Sequence, residues 1–427
     1  MLIRSNEMKD HSTARPHHIA PFSAFAFAIV CSLASQASAD WPQWRGPNRD
    51  GHALESSAPK SWPSRLTERW SVFVGIGHSS PIVANGQVFQ FSRQNGKEVV
   101  RRLDLANGKS IWKSDYAAPY TAPPVAGKHG DGPKSTPVVA NGRLFTFGIT
   151  GILTGWNVET GERLWQEDFK SEFQNLPSVG TAASPIVYND SVIIHLGGYK
   201  HGALRAFNTR TGEAQWSYGA DGPSFASPVI ATFGKSVQLI TLTESAVVAV
   251  SPDSGMLLWR IPFGNEEQNI VTPVVHGGIV ILSGAGDGLT CAVRPTETKG
   301  KWLTKELWRN RKIFSYMSTP VAAKERLVGL AHRRKGQLTC SSIDTNEILW
   351  VSSPRLSENA ALIVAGNAVL IQLTTGRILV IDPTADELKT IAEYTVSKTE
   401  TWAHPALTDG FLLTKDYDTI RCWALKD

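Results

Sequence analysis

Basic side chains and histidines, the residues of this sequence best suited to ligand binding, recur in short polar stretches between apolar runs. Because guanidinium, ammonium and imidazole groups attract anions, such a set predicts a cationic surface for an acidic protein segment or an anionic glycan. A solvated charged surface is the simpler alternative. Together with two aspartates in the same stretches, the set comprises His78, Lys97, His129, Asp131, Lys134, Lys200, His201, Asp287, His332, Arg333, Arg334, Lys335, Arg377 and His404.

Metal-binding and catalytic motifs are sparse. His129 and Asp131 offer two possible metal ligands in the long Pro- and Gly-rich stretch 113–134, but a spaced third ligand is lacking, so no metal site is predicted. The chain has no G-x-S-x-G, P-loop, H-E-x-x-H or EF-hand motif, and no catalytic residue is assigned. A polysaccharide-active enzyme stays open as a third alternative, because the carboxylates of such enzymes come from scattered loops.

The composition indicates a globular chain. Hydrophobic residues make up 42% of the 427 residues, enough for a packed core, which excludes disordered and collagen-like classes. Lys and Arg number 43 against 38 Asp and Glu, and a net charge of +5 is too small to favour nucleic acid. After residue 39, no stretch approaches the roughly 18 apolar residues of a membrane span.

The first 39 residues have the pattern of a secretory signal peptide. Basic residues precede an apolar run over 19–33, and Ala37-Ser38-Ala39 then supplies the small-residue cleavage pattern. We therefore predict cleavage after Ala39 and export to the periplasm or the outside of the cell. Lipidation at Cys31 is an alternative, although Val30 stands where a lipoprotein signal has a small residue.

Tryptophans recur with a period typical of a repeat protein. Seven of them are 42 to 53 residues apart, and a small residue followed by Pro and a valine-rich run recurs in phase with them. With a degenerate copy at 360–364, this second marker gives eight units. The tryptophans are Trp70, Trp112, Trp165, Trp216, Trp259, Trp308 and Trp350, and the prolines are Pro81, Pro137, Pro185, Pro228, Pro273, Pro320 and Pro405.

Each repeat carries the signals of four short strands. Asn85-Gly86 and Asn141-Gly142 follow valine-rich runs and are typical of two-residue hairpins, because both turn residues need a positive φ. A second turn, such as Thr160-Gly161, precedes the strand that ends in Trp. Eight four-stranded antiparallel sheets are expected to close radially, because an open array would expose strand edges. The sequence therefore predicts an all-β fold, an eight-bladed β-propeller.

The two ends of the repeat region predict how the ring closes. The strand at 66–72 has the Trp of a fourth strand but no preceding three, whereas the last unit, at 405–425, has three strands and no fourth. Pairing of these segments completes the eighth blade. The predicted organisation is a signal peptide at 1–39, an N-terminal extension at 40–63 and the propeller at 64–427.

The turn-and-Trp marker resembles the repeat of pyrroloquinoline-quinone (PQQ) propellers. Its best copies, at 156–165 and 207–216, follow the pattern (Leu/Phe)-(Asp/Asn)-x-x-Thr-Gly-(Lys/Glu)-x-x-Trp closely. The stretches 41–51, 130–137 and 402–405 resemble secreted members from planctomycete-type bacteria. The resemblance implies the propeller fold, which quinoprotein dehydrogenases and BamB-type outer-membrane assembly lipoproteins share. Blade five, with an insertion at 295–300, and blade seven, which ends at Tyr394, depart from the pattern.

The resemblance raises the question of a cofactor. A PQQ dehydrogenase would need an indole floor, a calcium ion held by an acid and an amide oxygen, and an aspartate base. Family members with that activity carry an adjacent Cys-Cys disulfide, and this chain has neither that pair nor a C-x-x-C-H haem motif. Trp156 and Trp402 break the period and are the candidates for an indole floor. We predict no cofactor, with PQQ and calcium as the alternative.

The cysteines and the periodic tryptophans have predicted structural roles. Cys291, Cys340 and Cys422 are assigned to one equivalent third-strand position of three blades, too far apart to bridge, and are expected to be buried free thiols. The seven periodic tryptophans are expected to pack each blade on the next.

The resulting functional expectation is a non-catalytic, exported, monomeric ring of BamB-like type. It would bind a protein or cell-envelope ligand, and no nucleic acid, on the face that carries the loops between blades. A PQQ- and calcium-dependent dehydrogenase or a PQQ sensor is the alternative. The residues expected on the binding face are His78, His129, Asp131, Lys134, Tyr199, Lys200, His201, Arg333, Arg334, Arg377, Trp402 and His404, with Tyr199, Arg333 and Trp402 as hot spots.

Overall fold

The computed structural model describes residues 40–171, 179–198, 200–219, 221–264, 269–284, 288–332, 336–353 and 355–426. Apart from two 3-10 helices, Glu55–Ser57 and Pro124–His129, the elements in these ranges are β-strands. The first strand is β1 (Thr67–Phe73), and the strands that follow assemble into separate four-stranded antiparallel sheets, the blades.

In blades 1 to 7 the four strands follow chain order from the innermost strand to the outermost. The innermost strands of several successive blades contact one another around a central channel. Blades 1 to 4 contain β2 (Ile82–Ala84), β3 (Gln87–Gln94), β4 (Lys97–Asp104) and β5 (Ser110–Ala117); β6 (Val138–Ala140), β7 (Arg143–Phe147), β8 (Ile152–Asn157) and β9 (Arg163–Asp168); β10 (Ile186–Tyr188), β11 (Ser191–Gly198), β12 (His201–Asn208) and β13 (Ala214–Gly219); β14 (Val229–Phe233), β15 (Ser236–Leu242), β16 (Ala246–Val250) and β17 (Leu257–Pro262). Blades 5 to 8 contain β18 (Val274–His276), β19 (Ile279–Gly284), β20 (Leu289–Thr298) and β21 (Lys301–Asn310); β22 (Val321–Ala323), β23 (Arg326–Ala331), β24 (Gln337–Ser342) and β25 (Ile348–Val351); β26 (Ala360–Ala365), β27 (Ala368–Leu373), β28 (Arg377–Asp382) and β29 (Lys389–Thr395); β30 (Ala406–Thr408), β31 (Phe411–Lys415) and β32 (Thr419–Ala424), joined by β1.

The eighth blade closes the ring. Its order is β1-β32-β31-β30, and β1 pairs antiparallel with β32 from Thr67 opposite Ala424 to Phe73 opposite Thr419. The predicted eight-bladed propeller, closed by pairing of the two end segments, is therefore confirmed.

The Ser/Thr-Pro markers tie neighbouring blades together around the channel. In most copies, the hydroxyl of one marker accepts a hydrogen bond from the backbone N–H of the marker in the preceding blade. This contact satisfies a buried N–H that no strand partner reaches. The pairs are Ser80 with Thr136, Thr136 with Ser184, Ser184 with Ser227 and Thr272 with Thr319, at 2.9 to 3.1 Å.

Four of the periodic tryptophans dock their blade on the glycine turn of the next blade, as predicted. Trp165 lies against Gly212, and its Nε1 donates to the carbonyl of Thr209 at 3.1 Å. Gly212 has φ +79°, and a Cβ there would lie 2.8 Å from the indole Cδ2, so the position requires glycine. The equivalent pairs are Trp70 with Gly108, Trp112 with Gly161 and Trp216 with Gly255.

Blades 5 and 7, which depart from the sequence pattern, dock differently. In blade 5 the turn moves outward to Lys299-Gly300 between two ten-residue strands, and the Nε1 of Trp259 donates instead to Gln238 of its own blade at 2.7 Å. In blade 7 the hydroxyl of Tyr394 donates to the carbonyl of Pro63 at 2.7 Å. The N-terminal segment thus supplies the contact that a turn supplies elsewhere.

Cys291, Cys340 and Cys422 are buried and belong to no disulfide, as predicted, but their positions are not all equivalent. Cys340 and Cys422 lie opposite the docking tryptophans of their blades. In blade 5 that position belongs to Ala292, so the predicted equivalence is wrong for Cys291. A step of one residue along a strand moves the side chain to the other face of the sheet, and composition alone does not reveal the register.

Replacing Gly212 with alanine is expected to lower the free energy of unfolding by about 2–4 kcal/mol, because the Cβ adds a clash with Trp165 to the cost of a positive φ. Gly142→Ala is the matched control, since Gly142 has φ +69° and open space where the Cβ would lie. The control should cost only about 1 kcal/mol. Equal losses for the two variants in urea denaturation would contradict the docking role.

Candidate functional site

The central channel is occupied by residues 40–53, called here the channel segment. The segment enters beside the turn between the first two strands of blade 1, where Trp41 and Val83 exchange backbone hydrogen bonds of 2.9 Å. It leaves beside the corresponding end of β26 in blade 7, where the N–H of Ala53 donates to the carbonyl of Val364 at 2.9 Å. The channel segment is therefore a loop that enters and returns on one side of the ring.

The channel segment contacts every blade. Backbone pairing, side-chain hydrogen bonds and one aromatic contact all contribute, so the segment connects the inner strands of the whole ring. The contacts are Trp41 with Val83 in blade 1, Pro42 with Val139 in blade 2, Arg49 with Pro185 in blade 3 and Pro228 in blade 4, Trp44 with Thr272 in blade 5, Arg45 with Pro320 in blade 6, His52 with Val364 in blade 7, and Trp44 with His404 in blade 8.

Arg49 joins blades 3 and 4 from the axis of the ring. Its side chain is 1% exposed and donates to the carbonyls of Ser184 at 3.2 Å, Pro228 at 2.8 Å and Pro185. Gln43 of the same segment accepts from Nε at 2.8 Å. Burial lowers the pKa of Arg49 to about 9, which leaves the group cationic at neutral pH.

Arg45 plays the same part on blade 6. It is also 1% exposed and donates to the carbonyls of Thr319 at 3.1 Å, Pro320 at 3.0 Å and Asp50 at 3.1 Å. Burial lowers its pKa to about 10. The inner-strand carbonyls beside the Pro markers thus have cationic partners supplied by the channel segment.

On the face that carries the loops between blades, three predicted site residues come together. His78 lies in the loop before β2, His129 ends the second 3-10 helix and Trp402 lies in the loop before β30. Their ring centroids are 5.2 to 6.1 Å apart, and we call these residues the His–Trp cluster.

Charged groups surround the indole of this cluster. Lys128 Nζ lies 5.7 Å from the ring centroid of Trp402 and also pairs with Glu358. The Nε1 of Trp402 donates to Glu400 at 2.7 Å. Trp402 is only partly buried, so it offers apolar area together with a neighbouring cation, a combination typical of interface anchors.

Burial disfavours the protonated form of both histidines of the cluster. Burial, helped by the charge of Lys134, lowers the pKa of His78 to about 3, and burial also lowers that of His129. Burial lowers the pKa of Lys134 to about 8, and its Nζ donates to the carbonyl of Gly130 at 3.3 Å. The positive charge of this region therefore comes from lysines rather than from imidazoles.

Other predicted site residues lie away from the cluster. Lys200 has φ +64° and its N–H donates to Glu244 at 2.8 Å, while His201 is exposed at the start of β12. Arg377 is partly buried in β28 and pairs with Glu393. His404 is buried against Trp44 in the channel, and burial lowers its pKa to about 3.

The remaining members of the predicted set are occupied locally or fall outside the described ranges. Lys97 pairs with Asp115, Asp131 accepts from the N–H of Ala122, and the ring of His332 contacts those of Phe314 and Tyr316. Tyr199, Arg333 and Arg334, together with Asp287 and Lys335, lie outside the described residues.

Sequence reasoning missed a buried carboxyl group between blades 1 and 2. Glu98 is fully buried, accepts from the Tyr116 hydroxyl at 2.6 Å and accepts from the N–H of Ile149 at 2.7 Å. Burial raises the pKa of both Glu98 and Tyr116. The sequence signal for this group is an acidic residue directly before the apolar pair Val99-Val100. In the structure, the hydrogen bonds of Glu98 connect blade 1 to blade 2.

Sequence reasoning also missed a buried lysine in blade 8. Lys415, at the end of β31, is 0% exposed, and its ammonium donates to the carbonyls of Gly77 at 2.7 Å, Tyr417 at 3.0 Å and Asp416 at 3.1 Å. Burial lowers its pKa to about 8. The group connects blade 8 to the loop that enters blade 1.

The structure rules out one of the two tryptophans considered for the floor of a PQQ site. Trp156 is 2% exposed in the core between blades 1 and 2, stacks on Tyr116 at 6.1 Å and donates to Thr146 at 3.0 Å, so its candidacy for an indole floor is wrong. In the described ranges, no three His, Cys, Asp or Glu side chains are grouped to hold a metal ion. At the axis of the ring, Arg45 and Arg49 donate hydrogen bonds to carbonyls beside the inner strands.

No helix long and apolar enough to cross a membrane occurs in the part of the chain that the structure describes.

Comparisons with known proteins agree with this architecture. The family model described as outer membrane protein assembly factor BamB matches residues 96–352. BamB of Shewanella oneidensis is 25% identical over 49% of this chain and 53% of its own length, and the quinohemoprotein alcohol dehydrogenase ADH-IIG of Pseudomonas putida is 25% identical over 60% of this chain and 38% of its own. The chain thus spans about half the length of the BamB relative.

A solved structure shows the same fold. The crystal structure of BamB from Moraxella catarrhalis superposes with a TM-score of 0.62 at 13% identity, over 84% of this chain and 99% of that one. Because the family model covers more than half of the sequence, the chain belongs to the family of PQQ-repeat propellers described as outer membrane protein assembly factor BamB.

Proposed function

We propose that this protein is an exported, non-catalytic propeller that binds a protein partner through the His–Trp cluster and the loops beside it. The filled channel is the observation that carries the proposal. Because residues 40–53 contact all eight blades, the chain itself occupies the axis of the ring. A partner is therefore expected to bind the loops between the blades.

The chemistry of the loop face suits a protein partner. Trp402 provides apolar area beside Lys128, and the acidic neighbours Glu358 and Glu400 provide opposite charge within the same surface. An aromatic anchor bordered by both signs of charge is typical of a protein interface. The names of the BamB relatives, outer membrane protein assembly factors, support a role as a scaffold for other proteins. Export is proposed from residues 1–39, which lie outside the described residues.

The test is affinity capture from an envelope extract of the organism that encodes the chain, with quantification by mass spectrometry. The variant Lys128→Glu/Trp402→Ala removes the aromatic anchor and reverses the charge of the lysine beside it. We expect it to reduce capture of a specific protein by tenfold or more, because a hot-spot side chain contributes about 2 kcal/mol or more. Lys324→Glu/Leu349→Ala, which changes an exposed lysine and an exposed apolar residue elsewhere, is the matched control.

Two results would overturn the proposal. The first is an identical set of captured proteins for the wild-type chain and the Lys128→Glu/Trp402→Ala variant. The second is saturable, calcium-dependent quenching of tryptophan fluorescence by micromolar PQQ, after correction for light absorption. That result would favour the alternative dehydrogenase or sensor, which the match to an alcohol dehydrogenase keeps in view.

A further inference from the structure

The long hairpin of blade 5 carries a concentration of positive charge. Residues 294–312 contain seven Lys and Arg and two Asp and Glu, a net charge of +5, which equals the formal charge of the whole chain. The rest of the sequence is therefore balanced. All seven basic residues are exposed. This stretch includes residues 295–300, the insertion that departs from the repeat pattern.

The two faces of this hairpin differ sharply. On one face, Val293 and Pro295 are buried and Trp302 packs against the core between blades 4 and 5. On the other face every residue is exposed, in three cross-strand pairs. They are Arg294 with Lys305, Thr296 with Leu303, and Thr298 with Lys301.

This exposed surface, called here the hairpin face, has an apolar residue at its centre. Leu303 is 58% exposed, and it lies between Lys301 and Lys305 along β21. The tip at Gly300 has nothing within 4 Å of where a Cβ would stand, so the end of the hairpin projects freely. Three cations therefore surround a leucine on an exposed, projecting two-stranded surface.

We propose that the hairpin face docks on an anionic membrane surface. Long Lys and Arg side chains place their charges among lipid phosphates while an apolar neighbour enters the interface, and each such cation adds to the attraction. An exposed, projecting surface suits a lipid layer better than a peptide, which binds tightly where a pocket receives its anchor. The proposal depends on the proposed export in one respect, because export determines which membrane the protein can reach.

The experiment is co-sedimentation of the purified chain with vesicles of phosphatidylcholine alone or mixed with phosphatidylglycerol. We expect binding to the mixed vesicles that weakens as salt rises, because the attraction is electrostatic. The variant Arg294→Gln/Lys301→Gln/Lys305→Gln should lose on the order of tenfold or more in affinity. These side chains are exposed, so an unchanged melting temperature is expected to show that the fold survives.

The matched control is Arg210→Gln/Lys235→Gln/Lys324→Gln. It removes one Arg and two Lys from exposed turns of blades 3, 4 and 6 and has the same net charge as the hairpin variant. Little loss is expected for the control, and Leu303→Ser should weaken binding without changing its salt dependence.

Three outcomes would overturn the proposal: no binding to phosphatidylglycerol vesicles, equal losses in the hairpin and control variants, or binding of soluble polyglutamate in place of vesicles. The last result would assign the face to an acidic protein. The Lys128→Glu/Trp402→Ala variant should bind vesicles like the wild-type chain, so failure here is distinct from failure of the loop-face proposal.

Discussion

Deletion of residues 414–427 is expected to abolish the cooperative unfolding of the ring. It removes β32 and the end of β31, so that β1 loses the strand with which it pairs and blade 8 keeps β30 and a shortened β31. The core between blades 7, 8 and 1 loses Ile420, Cys422 and Leu425. We expect a loss comparable to the whole stability of a domain, about 5–15 kcal/mol. Circular dichroism during heating and urea denaturation measure it.

A shorter truncation provides the control. Removing residues 426 and 427 leaves every strand intact, and the melting temperature should not change. If the longer truncation melted at the same temperature as the intact chain, closure through β1 and β32 would not be what stabilises the ring.

The Arg49→Met variant is expected to lower the free energy of unfolding by about 3–5 kcal/mol, because a buried cation is removed from its carbonyl partners. Methionine fills the volume but donates no hydrogen bond, so the carbonyls of Ser184, Pro185 and Pro228 become buried and unpaired. Arg45→Met should have a similar effect on the carbonyls of blade 6. Urea denaturation of each single variant measures the loss.

Arg49→Lys and Arg163→Met are the controls for this prediction. A single ammonium cannot reproduce the planar fork of a guanidinium that reaches carbonyls of two blades, so Arg49→Lys should recover only part of the stability. Arg163 is exposed on β9, and its replacement should cost little. A loss at Arg49 no larger than at Arg163 would mean that water replaces the guanidinium in the channel.

The repeat pattern was sufficient to predict the number of blades and the way the ring closes, because both depend on local signals. Turn residues such as Gly142 and docking pairs such as Trp165 with Gly212 occur at a constant spacing, and each repeat is too small to bury its own faces alone. The same local signals marked blades 5 and 7 as exceptions, and these blades do dock differently.

The candidate site was predicted only in part. His78, His129 and Trp402 do meet, although they are far apart in sequence, because their loops share one face of the ring. His404 was expected beside them and instead lies in the channel. His404 is buried because Trp44 of the channel segment packs against it. A local sequence pattern does not predict where the channel segment lies.

By itself, the sequence determined an all-β ring of eight four-stranded blades and the strands that close it, because strand periodicity, turn chemistry and Trp spacing act over a few residues. Only the tertiary structure decided that residues 40–53 occupy the channel, that burial disfavours protonation of His78 and His129, and that Cys291 faces away from the position assigned to it. These properties depend on burial and strand register, which arise when segments distant in sequence pack together and leave water.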